Sequence, residues 1–587
     1  MAYSSLYHGL RPYLRKHWWR ITGGVLLLVG ANYYQVRVAA VVGQASDAIK
    51  LGSANARDFV NYALWVVGFT LILAVCRLFM RLLIVGASRD IEYRFRNDIY
   101  EKLLRLPPSY YDHQRTGDLI SKVTNDVEAV RMVLGPGVLQ FSNSAILFPI
   151  AIFQMLRIDP LLTVVAMLPM AALPFVVNYY GNRIHQRFRR VQDHYSVISA
   201  MVQENLAGVR VVKAFCQEEP QIRLFDQLND EYVRRNMSLA KIQSAFFPML
   251  HTIAGVAVVV LLWAGASHVV TGRITVGRLV EFSLIQLMLF WPMMAFGWTV
   301  SLLQRGAASM ERIREVMVLE DDPALGSRAG RVSLPQDSSV EFRNLTFRYT
   351  PDRPPALRGI TLKVPAGSSL GVVGPTGSGK STLALLIAKI YPTPPGQLFV
   401  GGADVCEIPA TELRKRLGIV FQEPFLFSDT IANNIAFGAP TATREQIIEV
   451  ARLAHIAHEI EQFPHGYDTM LGERGINLSG GQKQRTALAR AILRDPEILI
   501  LDDALSAVDT ETEARIIESL REIMRQRTTI VIAHRISAVM HCDNIIVLDG
   551  GEIVEQGNHE ALLALGGLYA RLYEKQQLAD SLEREVG

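Results

Sequence analysis

The chain has 587 residues, half of them hydrophobic and a fifth charged, with 60 Lys and Arg against 56 Asp and Glu. That length exceeds what one hydrophobic core organises, and a net charge of +4 spread over it is too small to argue for nucleic acid as a partner. Cys76, Cys216, Cys406 and Cys542 are far apart with no CxxC or Cys/His spacing, so neither a disulfide framework nor a zinc site has support.

Taken in chain order, residues 1–20 mix His8, Arg11, Arg15, Lys16 and Arg20 with Tyr7, Leu10, Tyr13, Leu14, Trp18 and Trp19. This is too charged and aromatic for a secretory leader and fits an amphipathic elbow helix on a membrane surface. Six apolar stretches follow, at about 21–42, 59–84, 132–156, 161–180, 246–270 and 276–303, each near the length of about 20 residues that a spanning helix needs. The third and fourth are joined only by Arg157-Ile158-Asp159-Pro160, a tight turn. Arg and Lys crowd the N-terminus and the segments 89–131 and 183–241, while the loops near Ser46, Ile158 and Gly272 carry few. The positive-inside rule then puts the N-terminus, both long segments and the C-terminal region in the cytoplasm of a multi-pass inner-membrane protein. Both long segments keep helical apolar spacing, as at Leu119, Val123, Val127 and Val130. They read as spans continuing beyond the bilayer and turning near Pro107–Gly117 and Asn205–Gln217.

Polar side chains inside the spans (Arg37, Arg77, Arg81, Gln140, Gln154, Asn178, Gln286) must face protein or an aqueous path. Arg37, Arg77 and Gln286 are the stronger candidates for lining a cavity; interhelical bonding, or snorkelling for Arg81, is the structural alternative. The last span adds Met288, Phe290, Trp291, Met293, Met294, Phe296 and Trp298, an adaptable surface suited to apolar ligands and equally to lipid contact or helix packing.

Helical pattern ends near residue 318, and 319–339 reads as a linker. From Val340 short β-type runs alternate with helical ones through 575, the pattern of an α/β domain, leaving 576–587 as a tail. After the apolar run Leu370-Gly371-Val372-Val373 comes Gly374-Pro375-Thr376-Gly377-Ser378-Gly379-Lys380-Ser381-Thr382 and then a helix, which is GxxxxGK[ST] in its strand–loop–helix setting. Loop N–H groups and a helix N-terminus cradle phosphates; Lys380 reaches the β/γ-phosphates of ATP and Ser381 is a Mg²⁺ ligand. Ile498-Leu499-Ile500-Leu501-Asp502 is a buried-type strand ending in a carboxylate suited to the same metal. Asp503 stands where a general base would orient water, and the strand Thr529–Ala533 ends at His534, within reach of a γ-phosphate.

Leu478-Ser479-Gly480-Gly481-Gln482, followed by Lys483-Gln484-Arg485, resembles the signature of ATP-binding cassette (ABC) transporters. The resemblance covers nearly the whole chain and implies a six-helix transmembrane domain with long cytoplasmic helical extensions, followed by an α/β P-loop NTPase domain. It implies Tyr349 as the aromatic on adenine and Gln422 as the Q-loop residue at the metal and the attacking water. Gly472-Glu473-Arg474-Gly475 looks like the X-loop, Ser506-Ala507-Val508-Asp509 like the D-loop, and His534 matches the switch histidine. Tyr111-Asp112 with Thr116-Gly117-Asp118-Leu119, and Glu204–Gly208 with Val211, Lys213, Ala214 and Phe215, resemble the two intracellular loops of the type I exporter (type IV) fold. It further implies a second half-transporter chain, with ATP between the phosphate loop of one chain and Ser479, Gly480, Gly481 and Gln482 of the other.

One residue departs from the family pattern. Asp503 stands where the family usually has Glu, one methylene longer, and misplacement by about 1 Å costs on the order of a hundredfold in rate. An intact LSGGQ beside a shortened base resembles the degenerate half of heterodimeric multidrug exporters. The expectation is ATP-driven export of hydrophobic or amphipathic drug-like, lipid or peptide cargo, in contact with membrane lipids, by a chain whose own site is slow. The alternatives are a homodimeric flippase or multidrug exporter using Asp503 as a poorer base, and an ATP-gated membrane regulator that transports nothing.

Overall fold

The computed structural model describes residues 2–51, 55–324 and 337–586. Residues 325–336, the middle of the expected linker, lie outside the described residues. Two compact units result: Met1–Leu103 with Thr116–Val318, and Leu104–Arg115 with Leu319–Gly587.

The first unit is helical. Its long elements are α1 (Ala2–Leu51), α2 (Ala56–Arg105), α4 (Thr116–Ile158), α5 (Pro160–Ala207), α7 (Glu218–Val270) and α8 (Val276–Met317); the short α3 (Pro108–Tyr111) and α6 (Val209–Ala214) occupy the two expected turns. All six long helices are apolar enough to cross a bilayer. At 50 residues α2 is about 75 Å long, more than twice a hydrocarbon core of about 30 Å. The expected separate elbow over 1–20 is not seen: α1 runs unbroken through Arg20, with Pro12 inside it. Nothing between Arg20 and Ile21 removes a backbone donor, so the helix has no reason to stop.

Chain reversal between α4 and α5 is set by Asp159. Its backbone is extended (φ −162°), its Oδ1 accepts from Leu162 N–H, Pro160 opens the helix, and its Oδ2 accepts from His268 Nδ1 at 2.7 Å. Two π-turns interrupt α4, at Lys122–Asp126 and at Val133–Gly137, the second around Pro136. The apolar core joins Leu162, Ala166 and Met170 to Leu250, Ala257 and Leu261 and to Phe282, Ile285 and Leu289. Gln286, expected to line a cavity, is buried here instead, its amide 3.2 Å from the Ala166 carbonyl and 3.4 Å from that of Ala257. Gln154 likewise donates to the buried Glu281 at 2.7 Å, with Arg278 completing the set at 2.9 Å. Both are interhelical ties, which is how polar groups at bilayer depth are satisfied.

The second unit holds two sheets. Strands β1 (Val340–Phe347), β2 (Leu357–Val364), β4 (Leu398–Val400) and β5 (Ala403–Asp404) form an antiparallel sheet in the order β2-β1-β4-β5. The other runs β10-β9-β3-β8-β7-β6, from β3 (Ser369–Val373), β6 (Leu417–Val420), β7 (Ile498–Asp502), β8 (Thr528–Ile532), β9 (Asn544–Asp549) and β10 (Glu552–Gly557). Its five strands from β9 to β6 are parallel. β7 and β8 are buried at every position, as a sheet covered on both faces requires. The helices that matter for the site are α9 (Lys380–Ile387), α10 (Gly480–Leu493), α11 (Thr510–Arg525) and α12 (Leu568–Val586). α12 corrects the expected tail from 576: it continues to Val586 and anchors through the fully buried Tyr569.

Arg312 on α8 grips Asp126 of the first π-turn with two N–H groups, one of them at 3.0 Å. Asp126 is 6% exposed and Arg312 52%, so the two partners are not equivalent. Arg312→Ala strands a buried carboxylate and should cost about 3 kcal/mol; Asp126→Ala frees a guanidinium that water can reach and should cost about 1 kcal/mol. Thermal unfolding of both variants checks the order, and equal losses would contradict it.

Candidate functional site

Val373, at the end of the buried strand β3, hands the chain to the loop Gly374–Gly379, which opens into α9. The loop needs its glycines. Gly374 has φ +150° and a Cβ there would lie 2.0 Å from the Leu548 carbonyl oxygen, while Gly377 and Gly379 sit at +82° and +99°. Lys380 Nζ bends over the loop and donates to the carbonyls of Gly374 and Pro375 at 2.8 and 2.9 Å. Burial holds its ammonium below the ordinary value, against the pull of the Asp503 and Asp502 carboxylates. Ser378 Oγ is buried without a partner among the described residues. An orphaned hydroxyl, a lysine and the N-terminus of α9 together are a donor set for phosphate oxygens. Thr376 lies in the same loop and Thr382 one turn into α9.

Opposite the loop, β7 ends in two adjacent carboxylates. Asp502 Oδ1 accepts from Ser381 Oγ at 3.0 Å. Burial, and secondarily the neighbouring Asp503, push the Asp502 carboxyl up to about 6, with the Ser381 bond opposing. This hydroxyl–carboxylate pair is the hard oxygen donor set a Mg²⁺ ion takes. Gln422 follows β6 on the exposed side of the same sheet end.

Asp503 adopts a left-handed backbone, φ +47°. Its Oδ1 accepts from the His534 backbone N–H at 3.0 Å, and its Oδ2 lies 3.3 Å from His534 Nε2. The histidine loop is held from the other side by Gln576 of α12, which donates to the His534 carbonyl at 2.6 Å and accepts from Ile536 N–H at 2.8 Å. Tyr349 meets Thr382 Oγ1 through its hydroxyl at 2.9 Å and packs edge-on against Tyr391 at 5.0 Å between ring centres. Tyr391 in turn donates to Asp112 at 2.7 Å, on the residue just after α3.

Ser479, Gly480, Gly481 and Gln482 lie elsewhere. Among the described residues no hydrogen bond joins them to the phosphate loop of the same chain. Ser479 caps α10 in a reciprocal box with Gln482 (3.2 and 2.9 Å). Gly481 lets Ala507 approach, since a Cβ would lie 2.9 Å from the Ala507 carbonyl oxygen.

Three residues that pattern reading left without a role complete the picture. Gln484, buried on α10, donates to the Asp503 carbonyl (3.2 Å) and to Ser506 Oγ (2.8 Å) and accepts from Ala507 N–H (2.9 Å). Gln576 and Tyr391 are the others. Their contacts span 19 to 279 residues, beyond any local signal; the Gln two residues after LSGGQ was the only visible clue.

Residues 21–293 match the family model described as ABC transporter transmembrane region, and residues 357–506 the one described as ABC transporter. The multidrug resistance-like ATP-binding protein MdlA of Escherichia coli is 37% identical over 580 residues, 98% of each chain. The probable multidrug resistance ABC transporter ATP-binding/permease protein YheI of Bacillus subtilis is 35% identical over 577 residues, also 98% of each. This chain belongs to the ABC transporter family. An ATP-dependent lipid A-core flippase of Syntrophus aciditrophicus is 32% identical across 99% of this chain and 96% of its own. Among solved structures, a bacterial Atm1-family ABC exporter with ATP bound superposes with a TM-score of 0.76 at 28% identity, covering 96% of this chain and 98% of that one. The chain is therefore an ABC exporter half-transporter: a membrane-embedded helical domain followed by an ATP-binding ATPase domain, a class that works as dimers and exports at the expense of ATP.

The raised Asp502 carboxyl has a measurable consequence. Its folded value lies above the unfolded one, so its ionisation destabilises the nucleotide-free protein increasingly as pH rises from about 4 through about 6. Asp502→Asn should stabilise that state by about 2 kcal/mol at pH 7.5, with the gain fading below pH 4. Thermal unfolding at both pH values checks this, and a gain independent of pH would refute the assignment.

Proposed function

We propose that this chain is the slow-site subunit of a heterodimeric exporter of hydrophobic or amphipathic cargo. The observation that carries the reading is Asp503. Its side chain is one methylene shorter than the usual glutamate, and both of its oxygens are directed at His534. A carboxylate engaged in holding its own switch histidine is a poor base for water. Loop residues 374–379, Lys380, Ser381 and Thr382 are assigned to binding ATP, with Tyr349 stacking on its base. Ser381, Asp502 and Gln422 would hold Mg²⁺, which when bound supplies charge neutralisation at the β/γ-phosphates. His534 and Gln422 orient groups around the terminal phosphate. Ser479, Gly480, Gly481 and Gln482 serve the site on the second chain, as their separation from Lys380 in this one supports. Basic segments near 89–131 and 183–241 support a cytoplasmic placement of the N-terminus, the helical extensions and the nucleotide-binding domain. The relatives' names, multidrug resistance and lipid A-core flippase, support drug-like or lipid cargo.

The test is turnover measured on this chain alone and with a candidate partner half-transporter that carries Glu in the corresponding place. Alone, the chain should bind ATP and hydrolyse it slowly. In the mixture, Ser479→Arg should abolish turnover and Asp503→Ala should change it by less than about twofold. Rapid hydrolysis by the chain alone, lost on Asp503→Ala, would instead establish a homodimer with Asp503 as base. ATP-dependent accumulation of a fluorescent amphiphile in inverted vesicles separates an exporter from a nucleotide-gated regulator.

A further inference from the structure

The helical unit contains a cavity of about 360 Å³ whose polar lining is Arg77 and Arg81 of α2 and Gln140 and Asn143 of α4, faced by Trp291 and Trp298 of α8. Several other polar groups in the spans are tied within the protein: the Gln286 amide N–H by two carbonyls, Gln154 and Arg278 by Glu281. This cluster differs in bringing two cations to one cavity. Arg77 donates to the neutral Gln35 at 2.7 Å, and among the described residues neither Arg77 nor Arg81 has a carboxylate partner. Gln140 Nε2 is buried with no acceptor among the described residues. The lining thus holds two guanidinium groups of full positive charge and a buried amide N–H in want of an acceptor.

Residues four apart on a helix share a face, so Arg77 and Arg81 present their guanidinium groups together and repel. An arginine at bilayer depth is costly, and two adjacent ones without an anion are not a packing solution. A tetrahedral or planar oxyanion answers all of it: guanidinium forks bind such groups in bidentate fashion, and the Gln140 amide adds a third donor. Trp291 and Trp298, seven residues apart on one face of α8, offer flat apolar surface beside the charged end.

We propose that this cavity is a headgroup subsite for an anionic amphiphile, taking a phosphate or carboxylate against Arg77, Arg81 and Gln140 and the adjoining apolar body against Trp291 and Trp298. That the ligand is cargo rests on the export reading above; that it binds does not. It also revises the weight of Arg81 and Gln140, for which sequence favoured snorkelling and interhelical bonding.

The experiment uses the full chain, with its dimer partner, in nanodiscs of zwitterionic lipid, and titrates dodecyl phosphate, dodecanoate, dodecylphosphocholine and dodecyltrimethylammonium. Tryptophan fluorescence reports binding and ATP hydrolysis reports stimulation. The two anions should bind at least about tenfold tighter than the cation. Arg77→Gln with Arg81→Gln should remove that preference while leaving ATP binding and the cation's affinity unchanged, and Arg77→Lys with Arg81→Lys should restore most of it. Equal affinities across headgroups, or a preference that survives the double Gln variant, overturn the subsite. Displacement of dodecyl phosphate by phosphatidylglycerol in the disc identifies a membrane lipid as the source, and resistance to it a soluble amphiphile; either carries the proposal. Headgroup-selective binding without ATP-dependent movement in inverted vesicles would retire the export reading alone, whereas export without selectivity would retire this one.

Discussion

Two carboxylates end the buried strand β7, and the arrangement of the ATPase half follows from how each is held. Asp502 points towards the phosphate loop and is tied to Ser381; Asp503, one residue on, is turned by a left-handed backbone towards His534. The left-handed turn at Asp503, just past the strand, is how one strand end serves the phosphate loop and the His534 loop together. Burial raises the free energy of both charges, so each must have a hydrogen-bond donor. Those donors are Ser381 on α9 and the His534 N–H in the loop after β8, and Gln576 of α12 in turn holds that loop, so the distant helices are organised around the strand end.

The same strand end is linked to the signature helix. Gln484 on α10 bonds the Asp503 carbonyl, Ser506 and Ala507 at once, so the start of the helix carrying Ser479 cannot shift without disturbing the loop after β7. In a dimer whose ATP lies between one chain's phosphate loop and the other's signature, this ties the occupancy of one site to the geometry of the next. Asp112, Tyr391 and Tyr349 form a second such line, from the turn after α2 to the aromatic beside the phosphate loop.

In the helical half the governing constraint is the cost of polarity away from water. Glu281 with Gln154 and Arg278, Asp159 with His268, and the Gln286 amide N–H between two carbonyls meet it internally. Arg77 and Arg81 find no carboxylate among the described residues and meet at one cavity, and that juxtaposition, more than their mere presence in a span, is what marks a lining.

Much of this was legible in the chain. Span number follows from runs of apolar residues long enough for a bilayer, and the phosphate loop from glycines whose conformations no other residue adopts cheaply; both signals are local and need no tertiary partner. The same holds for Arg157-Ile158-Asp159-Pro160 as a tight turn between spans and for Asp503 as a departure from the usual glutamate. What only the tertiary structure decided was which polar groups meet. Gln286 looked like a cavity residue and is a tie, Arg81 looked like a snorkelling end and lines a cavity, and Gln576, placed in a tail, holds the loop of His534. In each case the residue type was plain from sequence, but its partner lies tens to hundreds of residues away, and the energy of a buried charge or amide is set by that partner.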